Sequence, residues 1–195
     1  ANGGAGSDSQ VSADIFEANI GGVLSANLSA IGGNGGNASG SGQAGHGGRG
    51  IVGNVVTSVS GSSSISQRLS SRGGSGGNAT GAANAGDGGA AAINASLPPN
   101  LPDTTNGTLD IQQNSFGGAG GSVSLDGVGL AGAGGMADTA LTIDAVGTSS
   151  LRVHAMANGG SGGDGSTVSA GASGGSASNS FNVTGYGEST SGNFF

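Results

Sequence analysis

Segments of alternating large and small residues recur along the chain, and glycine-rich stretches separate them. Val55, Thr57 and Val59 form one such series, the same pattern returns at 93–97, 141–145 and 181–183, and shorter series lie at 11–15 and 23–27. A second series follows in each repeat but the last, at 65–69, 109–113 and 151–155, and turn-forming residues lie at 61–63, 98–107, 147–149 and 185–187. A period of two with β-branched residues predicts strands with one buried face. No segment keeps a helical period.

Blocks of the form Gly-Gly-x-Gly-Gly divide the chain into repeats. Their spacing is nearly constant, since they begin at Gly32, Gly73, Gly117 and Gly159, and a second glycine doublet follows each block at an almost fixed offset. Such regularity indicates one structural unit copied along an axis, each copy burying its neighbour's face. We therefore predict one continuous structure made of an incomplete repeat and four further units, with bounds 1–31, 32–72, 73–116, 117–158 and 159–195.

The fold class expected from these patterns is all-β. Glycine supplies 47 of the 195 residues, and faces lined by Gly, Ala and Ser can approach more closely than the ~10 Å between ordinary packed sheets. A β-solenoid and a repeated strand meander both fit the period. Strands throughout are the leading interpretation; the triplets that can be read from Gly32 to Arg49 leave polyglycine II segments open as an alternative.

The first and last repeats are incomplete, and their ends favour association with other copies. Val11 and Ile15 belong to a shortened first repeat, and the last repeat stops at Phe194 and Phe195. Repeat proteins that remain soluble alone need polar capping units, whereas uncapped strands offer edges for pairing. Each ordered glycine also costs roughly 0.5–1 kcal/mol more than alanine. We expect these four residues to make subunit contacts in a homopolymer.

Charge and composition exclude several classes of protein. Four arginines, no lysine and eleven acidic residues give a net charge of −7, so nucleic acid and anionic membranes are poor partners. Cysteine is absent, and no apolar run reaches the ~18 residues that cross a bilayer. The chain opens on Ala1, which is consistent with a cleaved export signal. Secretion to the cell surface or beyond is the expected localisation.

The sequence predicts neither a catalytic site nor a cofactor. Asp87 and Asp164 stand beside glycines and are weak candidates for calcium, but they are solitary and far apart in the sequence, whereas calcium repeats stack their aspartates. His46 and His154 occupy different positions in their repeats. The serines lack a base and an orienting group, so we expect no enzyme. Six N-x-S/T sequons leave surface glycans as a further candidate.

The series GGNGGNASG, GGSGGNATG, GGAGGSVSL and GGSGGDGSTVSAG resembles glycine-rich repeats of secreted bacterial surface adhesins of the filamentous-haemagglutinin and autotransporter kind. The glycine triplets are also similar to those of springtail antifreeze proteins and some phage tail-fibre adhesins. The resemblance to adhesins implies a β-solenoid, export and self-association. The expected function is a secreted, non-enzymatic protein that assembles into an extracellular filament or matrix fibre through strand pairing. An adhesin or ice-binding repeat module is the alternative.

Overall fold

The computed structural model describes residues 1–18, 23–60, 64–97, 108–146 and 150–186, and in this part of the chain every regular element is a strand. The strands form three sheets in which all pairings are parallel. The prediction of an all-β fold is confirmed. The turns predicted at 61–63, 98–107 and 147–149 lie outside the described residues, as do Phe194 and Phe195.

Two long sheets contain most of the strands. The first sheet has the order β1-β4-β7-β9-β11, with strands β1 Ser9–Ala18, β4 Gly50–Ser60, β7 Ala91–Leu97, β9 Ala137–Val146 and β11 Ala177–Tyr186. The second sheet has the order β10-β8-β5-β2, with strands β2 Val23–Ile31, β5 Ser64–Arg72, β8 Thr108–Phe116 and β10 Ser150–Asn158. A small third sheet pairs β3 Ala38–Gly40 with β6 Ala79–Gly81.

The pairing register follows the sequence repeat. Leu24 pairs with Ile65, Ile65 with Leu109, and Leu109 with Leu151. Each of these steps equals the spacing between the corresponding glycine blocks, from the block at Gly32 to the block at Gly159. Equivalent residues of successive repeats therefore lie side by side, and each repeat contributes one strand to each long sheet wherever both strands are described.

The two long sheets enclose one apolar core. The alternation predicted from the sequence gives each central strand a buried row, such as Ala91, Ile93, Ala95 and Leu97 in β7. Rows of the second sheet complete the same core, and Leu69, Leu109 and Ile111 are almost fully buried there. Aliphatic side chains of this size each contribute about 1.5–3 kcal/mol when fully buried. One half of each repeat is thus held by side chains.

Three details of the strand prediction are wrong, and the first is that Gly185 and Tyr186, which were predicted to begin a turn, are the last two residues of β11. In β2 the alternation that begins at Val23 faces outward, with Val23 73% exposed, while Leu24 and Leu28 pack against the core. Both alternating rows of β2 contain apolar residues, so the sequence alone does not show which row faces the core. The prediction of strands throughout the repeat is also wrong. The glycine blocks lie outside every strand.

Several polar residues are buried in the inner rows of the described strands, and Gln113 is one of them. The inner row of β8 continues from Ile111 to Gln113, which is 0% exposed, and neither its Nε2 nor its Oε1 has a hydrogen-bond partner among the described residues. Equivalent positions hold Leu28, Leu69 and Ala155. An unpaired buried amide costs free energy that an apolar side chain of similar size avoids.

We predict that Gln113→Leu raises the free energy of unfolding by about 1–3 kcal/mol, because it removes the unpaired buried amide. Urea denaturation followed by circular dichroism measures the change. Gln112→Leu, on the partly exposed outer face of the same strand, is the matched control and should leave stability almost unchanged. A destabilised Gln113→Leu variant would show that the amide has a partner in solution.

Candidate functional site

The glycine blocks form a region of their own beside the long sheets. The first glycine segments follow strands of the second sheet directly, and the second glycine segments precede strands of the first sheet. The first glycine segments comprise residues 32–37, 73–78, 117–122 and 159–164. The second glycine segments comprise residues 3–8, 44–49, 85–90, 131–136 and 172–176. Their backbones, rather than side chains, make up the contacts described next.

Axial hydrogen bonds join equivalent segments of successive repeats at every third residue. The N–H of Gly73 donates to the carbonyl of Phe116 at 2.9 Å, and that of Gly76 donates to Ala119 at 2.8 Å. In the second segments the N–H of Gly134 donates to Ser173 at 2.9 Å. Each of these bonds runs from a donor at one level of the stack to an acceptor at the next level. The glycine region therefore has a direction along the stack.

A second set of bonds alternates between first and second segments. The N–H of Gly48 donates to the carbonyl of Gly33 at 2.7 Å, Gly74 donates to Gly48 at 2.8 Å, and Gly89 donates to Gly74 at 2.8 Å. This zigzag ladder runs from Ser7 to Gly175 through the members Gly33, Gly48, Gly74, Gly89, Gly118, Gly135 and Gly160. A parallel ladder runs from Gly4 to Ala172. Together they tie all described repeats through the backbone.

The ladder positions require glycine because backbones lie where a side chain would begin. A Cβ atom on Gly118 would stand 1.9 Å from the carbonyl oxygen of Gly74, and one on Gly160 would stand 1.9 Å from that of Gly118. Contacts below 3.0 Å force the backbone to move. The glycine doublets are thus a packing requirement.

Polar side chains occur at every third residue of some glycine segments, and they form hydrogen bonds of a different kind. They accept hydrogen bonds from backbone N–H groups of the next repeat that the ladders do not use: Ser75 donates to Asn34 Oδ1 at 2.9 Å, and Ser122 donates to Asn78 Oδ1 at 2.9 Å. Asp87 Oδ1 likewise accepts from the N–H of Ala133 at 2.8 Å. These side chains therefore satisfy backbone N–H groups that would otherwise have no hydrogen-bond acceptor within the glycine region.

We predict that Gly118→Ala destabilises the fold by about 1–3 kcal/mol or more, since overpacking must displace the Gly74 carbonyl. Thermal unfolding with far-ultraviolet circular dichroism measures this loss. Ala119→Ser, one residue further on at a third position, adds a single oxygen atom outside the ladder and should change stability by less than about 0.5 kcal/mol. Equal effects of the two substitutions would contradict the ladder.

The two ends of the described stack expose complementary backbone groups. At the end formed by the last repeat, the N–H groups of Gly174 and Ala177 point along the stack, by analogy with the bonded N–H groups of Gly134 and Ala137. At the opposite end, the carbonyl groups of Ala5 and Asp8 occupy the positions that accept such bonds in later repeats. Within the described residues these end groups have no backbone partner outside the strands.

The end strands also leave apolar side chains incompletely covered. Val11 and Ile15 on β1 are half-buried, and Val11 packs against the core. At the other end, Phe181 packs against the core from β11, and Val183 is 37% exposed. The structure thus puts the two sequence-predicted contact residues that it describes on an edge strand, β1. The other end strand of the first sheet, β11, was not predicted to make contacts.

The candidate metal residues do not come together. Asp87 lies in a second glycine segment and Asp164 in a first segment; the N–H of Asp164 donates to Ser122 Oγ at 3.0 Å. His46 Nδ1 accepts the N–H of Asp87 at 3.0 Å and lies 3.3 Å from its Oδ2. His154 is exposed on β10. In the described ranges, no group of three His, Cys, Asp or Glu side chains could hold a metal ion.

Comparison with known proteins gives no relative from which a function could be transferred. No protein-family model matches the sequence, and neither the curated proteins nor the solved structures contain a significant match. Among the residues described here, no helix is long and apolar enough to cross a membrane.

Proposed function

We propose that this protein is a secreted structural subunit that assembles into an extracellular filament or matrix fibre by strand pairing between copies. It acts without enzymatic chemistry. The observation that carries the proposal is the complementarity of the two ends, since the N–H groups of Gly174 and Ala177 at one end and the carbonyl groups of Ala5 and Asp8 at the other occupy positions that bond to each other inside the stack. The extracellular setting rests on the resemblance of the repeats to those of surface adhesins.

In this proposal the chain winds as a β-solenoid with one coil per repeat. Register steps equal to the repeat length support this winding. The glycine segments are polyglycine II helices, a conformation with three residues per turn like that of polyproline II. Axial bonds at every third residue and bonds to more than one neighbouring segment support that assignment.

The proposed junction repeats an internal step of the stack. When β1 of a second copy pairs in register with β11, the N–H of Gly174 meets the carbonyl of Ala5, and the N–H of Ala177 meets that of Asp8. The corresponding internal bonds, from Gly134 and Ala137, measure 2.9 Å each. Because equivalent groups already form these bonds inside the molecule, the junction needs no new geometry.

This junction continues the first sheet and the second glycine segments without interruption. The second sheet has four described strands against five in the first sheet. One strand position, between β10 and β2 of the next copy, is therefore not filled by described residues, and neither is the adjoining first-segment position. The row containing Phe181 borders that position.

Association of this kind leads to a polymer. The two surfaces differ, so the contact is heterologous, and a translation along the stack does not close into a ring. Each added copy presents the same free edge as the one before it. Growth is therefore open-ended and polar.

The axial repeat of the filament provides the first test. Each copy contributes five strand levels to the first sheet, and strands lie ~4.8 Å apart, so we predict a subunit repeat of about 24 Å along the fibre. Electron microscopy or fibre diffraction of assembled protein measures both spacings. Monodisperse single particles at high concentration would contradict assembly, and another axial repeat would contradict this junction.

Ala177→Pro provides the second test. Proline removes the N–H that the junction uses but that has no backbone partner in the described part of an isolated chain. We expect the variant to fold normally and to lose filament formation, measured by light scattering and circular dichroism. Ala177→Ser keeps the N–H and should assemble like the parent protein. Normal filaments from Ala177→Pro would show that β11 is not the growing edge.

A further inference from the structure

A groove lies at the corner where the second sheet passes into the first glycine segments. It has a volume of about 340 Å³, and glycines at 117–118 and 159–160 form its floor. One wall carries Arg72, Phe116 and Asn158, which are neighbours in register on adjacent strands. The residues that line the groove from the glycine segments are Ser75, Ala119 and Ser161. The groove is separate from the edges used in the proposed assembly except at its last level.

The shape of the groove follows from the repeat. Each wall is a column of equivalent residues, so successive side chains stand ~4.8 Å apart along the stack. Glycine at the floor leaves the space between the walls empty. A groove built in this way runs across the strands and is open along its length. It therefore suits an extended chain rather than an enclosed small molecule.

The wall residues differ in a way that favours a sugar chain with acidic groups. Phe116 is half-buried and offers an aromatic ring to the apolar face of a sugar ring, while Asn158 and Ser161 are exposed hydrogen-bonding groups. Arg72 is exposed and forms no ion pair with a described acidic residue. Its guanidinium can bind a carboxylate through two parallel hydrogen bonds.

The surrounding surface has the same electrostatic preference. Three of the four arginines in the sequence, at 68, 72 and 152, lie on the outer face of the second sheet, and His154 lies there too. The described residues of that face include one acidic residue, Asp110, which pairs in register with Arg152. This face is thus locally basic on a chain of net charge −7.

We propose that this groove binds an acidic polysaccharide built from uronic-acid residues, with Arg72 holding a carboxylate and Phe116 packing against a sugar ring. Nucleic acid carries a phosphate at every nucleotide and is bound through several cationic groups, whereas this groove offers one arginine. The proposal does not depend on filament formation, because the groove lies within a single chain.

Isothermal titration calorimetry of the full chain with polygalacturonate tests the proposal. Its methyl-esterified form has the same sugar rings without the charge and is the matched ligand control. We expect binding to polygalacturonate, at least about ten-fold weaker binding to the ester, and no tighter binding to a single-stranded oligonucleotide. Absence of binding, equal affinity for the ester, or preference for the oligonucleotide would each overturn it.

Two substitutions locate the site. Arg72→Gln should weaken binding to polygalacturonate about ten-fold or more, and Phe116→Leu should weaken it several-fold while keeping apolar volume. Arg68→Gln makes the same charge change on the same face outside the groove, and should weaken binding less than about two-fold. An equal loss of affinity in Arg68→Gln would show that the whole face binds the ligand, and it would overturn the assignment to the groove. Circular dichroism checks folding, and Arg72→Gln decides alone if Phe116→Leu misfolds.

Discussion

Close contact between glycine backbones is the constraint on which the rest of this structure depends. In the ladder that contains Gly74, Gly118 and Gly160, each N–H reaches a carbonyl of a neighbouring segment at 2.7–2.9 Å. A Cβ atom at any of the three would lie 1.9 Å from a carbonyl oxygen. The hydrogen bonds therefore exist only while side chains are absent. In this half of each repeat, satisfied backbone groups replace the apolar contacts of an ordinary core.

The two halves of the repeat are stabilised in different ways. Between the long sheets, residues such as Ile93 and Ile111 bury apolar surface, and the backbone bonds are those of parallel sheets. In the glycine region the buried apolar side chains are mostly small, such as those of Ala44 and Ala85, and stability depends on pairing nearly every polar backbone group. Because both halves share one register, a change that shifts the glycine ladder also shifts the strand pairing. The fixed spacing of the glycine blocks is a consequence of this coupling.

The sequence predicts the elements better than it predicts the site. Alternation located the long strands from β4 to β10, and the spacing of the glycine blocks equals the strand register. The side-chain hydrogen bonds from Asn37 and Asn78 to the next repeat were missed, although asparagine at these two matching positions was a signal for them. The inward row of β2 and the role of β11 could not be read, because burial at an edge depends on which neighbouring strands are present. Asp87 illustrates the same limit: beside glycine it suggests calcium, whereas here it accepts the N–H of Ala133.

The opposite directions of the two sets of glycine bonds bear on the assembly that we propose. Axial donors such as Gly73 and Gly134 point toward the last repeat, whereas ladder donors such as Gly74 and Gly118 reach carbonyl groups of earlier segments. In the proposed filament, a second copy in the same orientation repeats the internal pattern of both sets of bonds, whereas an inverted copy does not. Discrimination between the two orientations therefore needs no particular side chain. For a chain with so few charged and aromatic groups, backbone direction is the specificity that the fold itself provides.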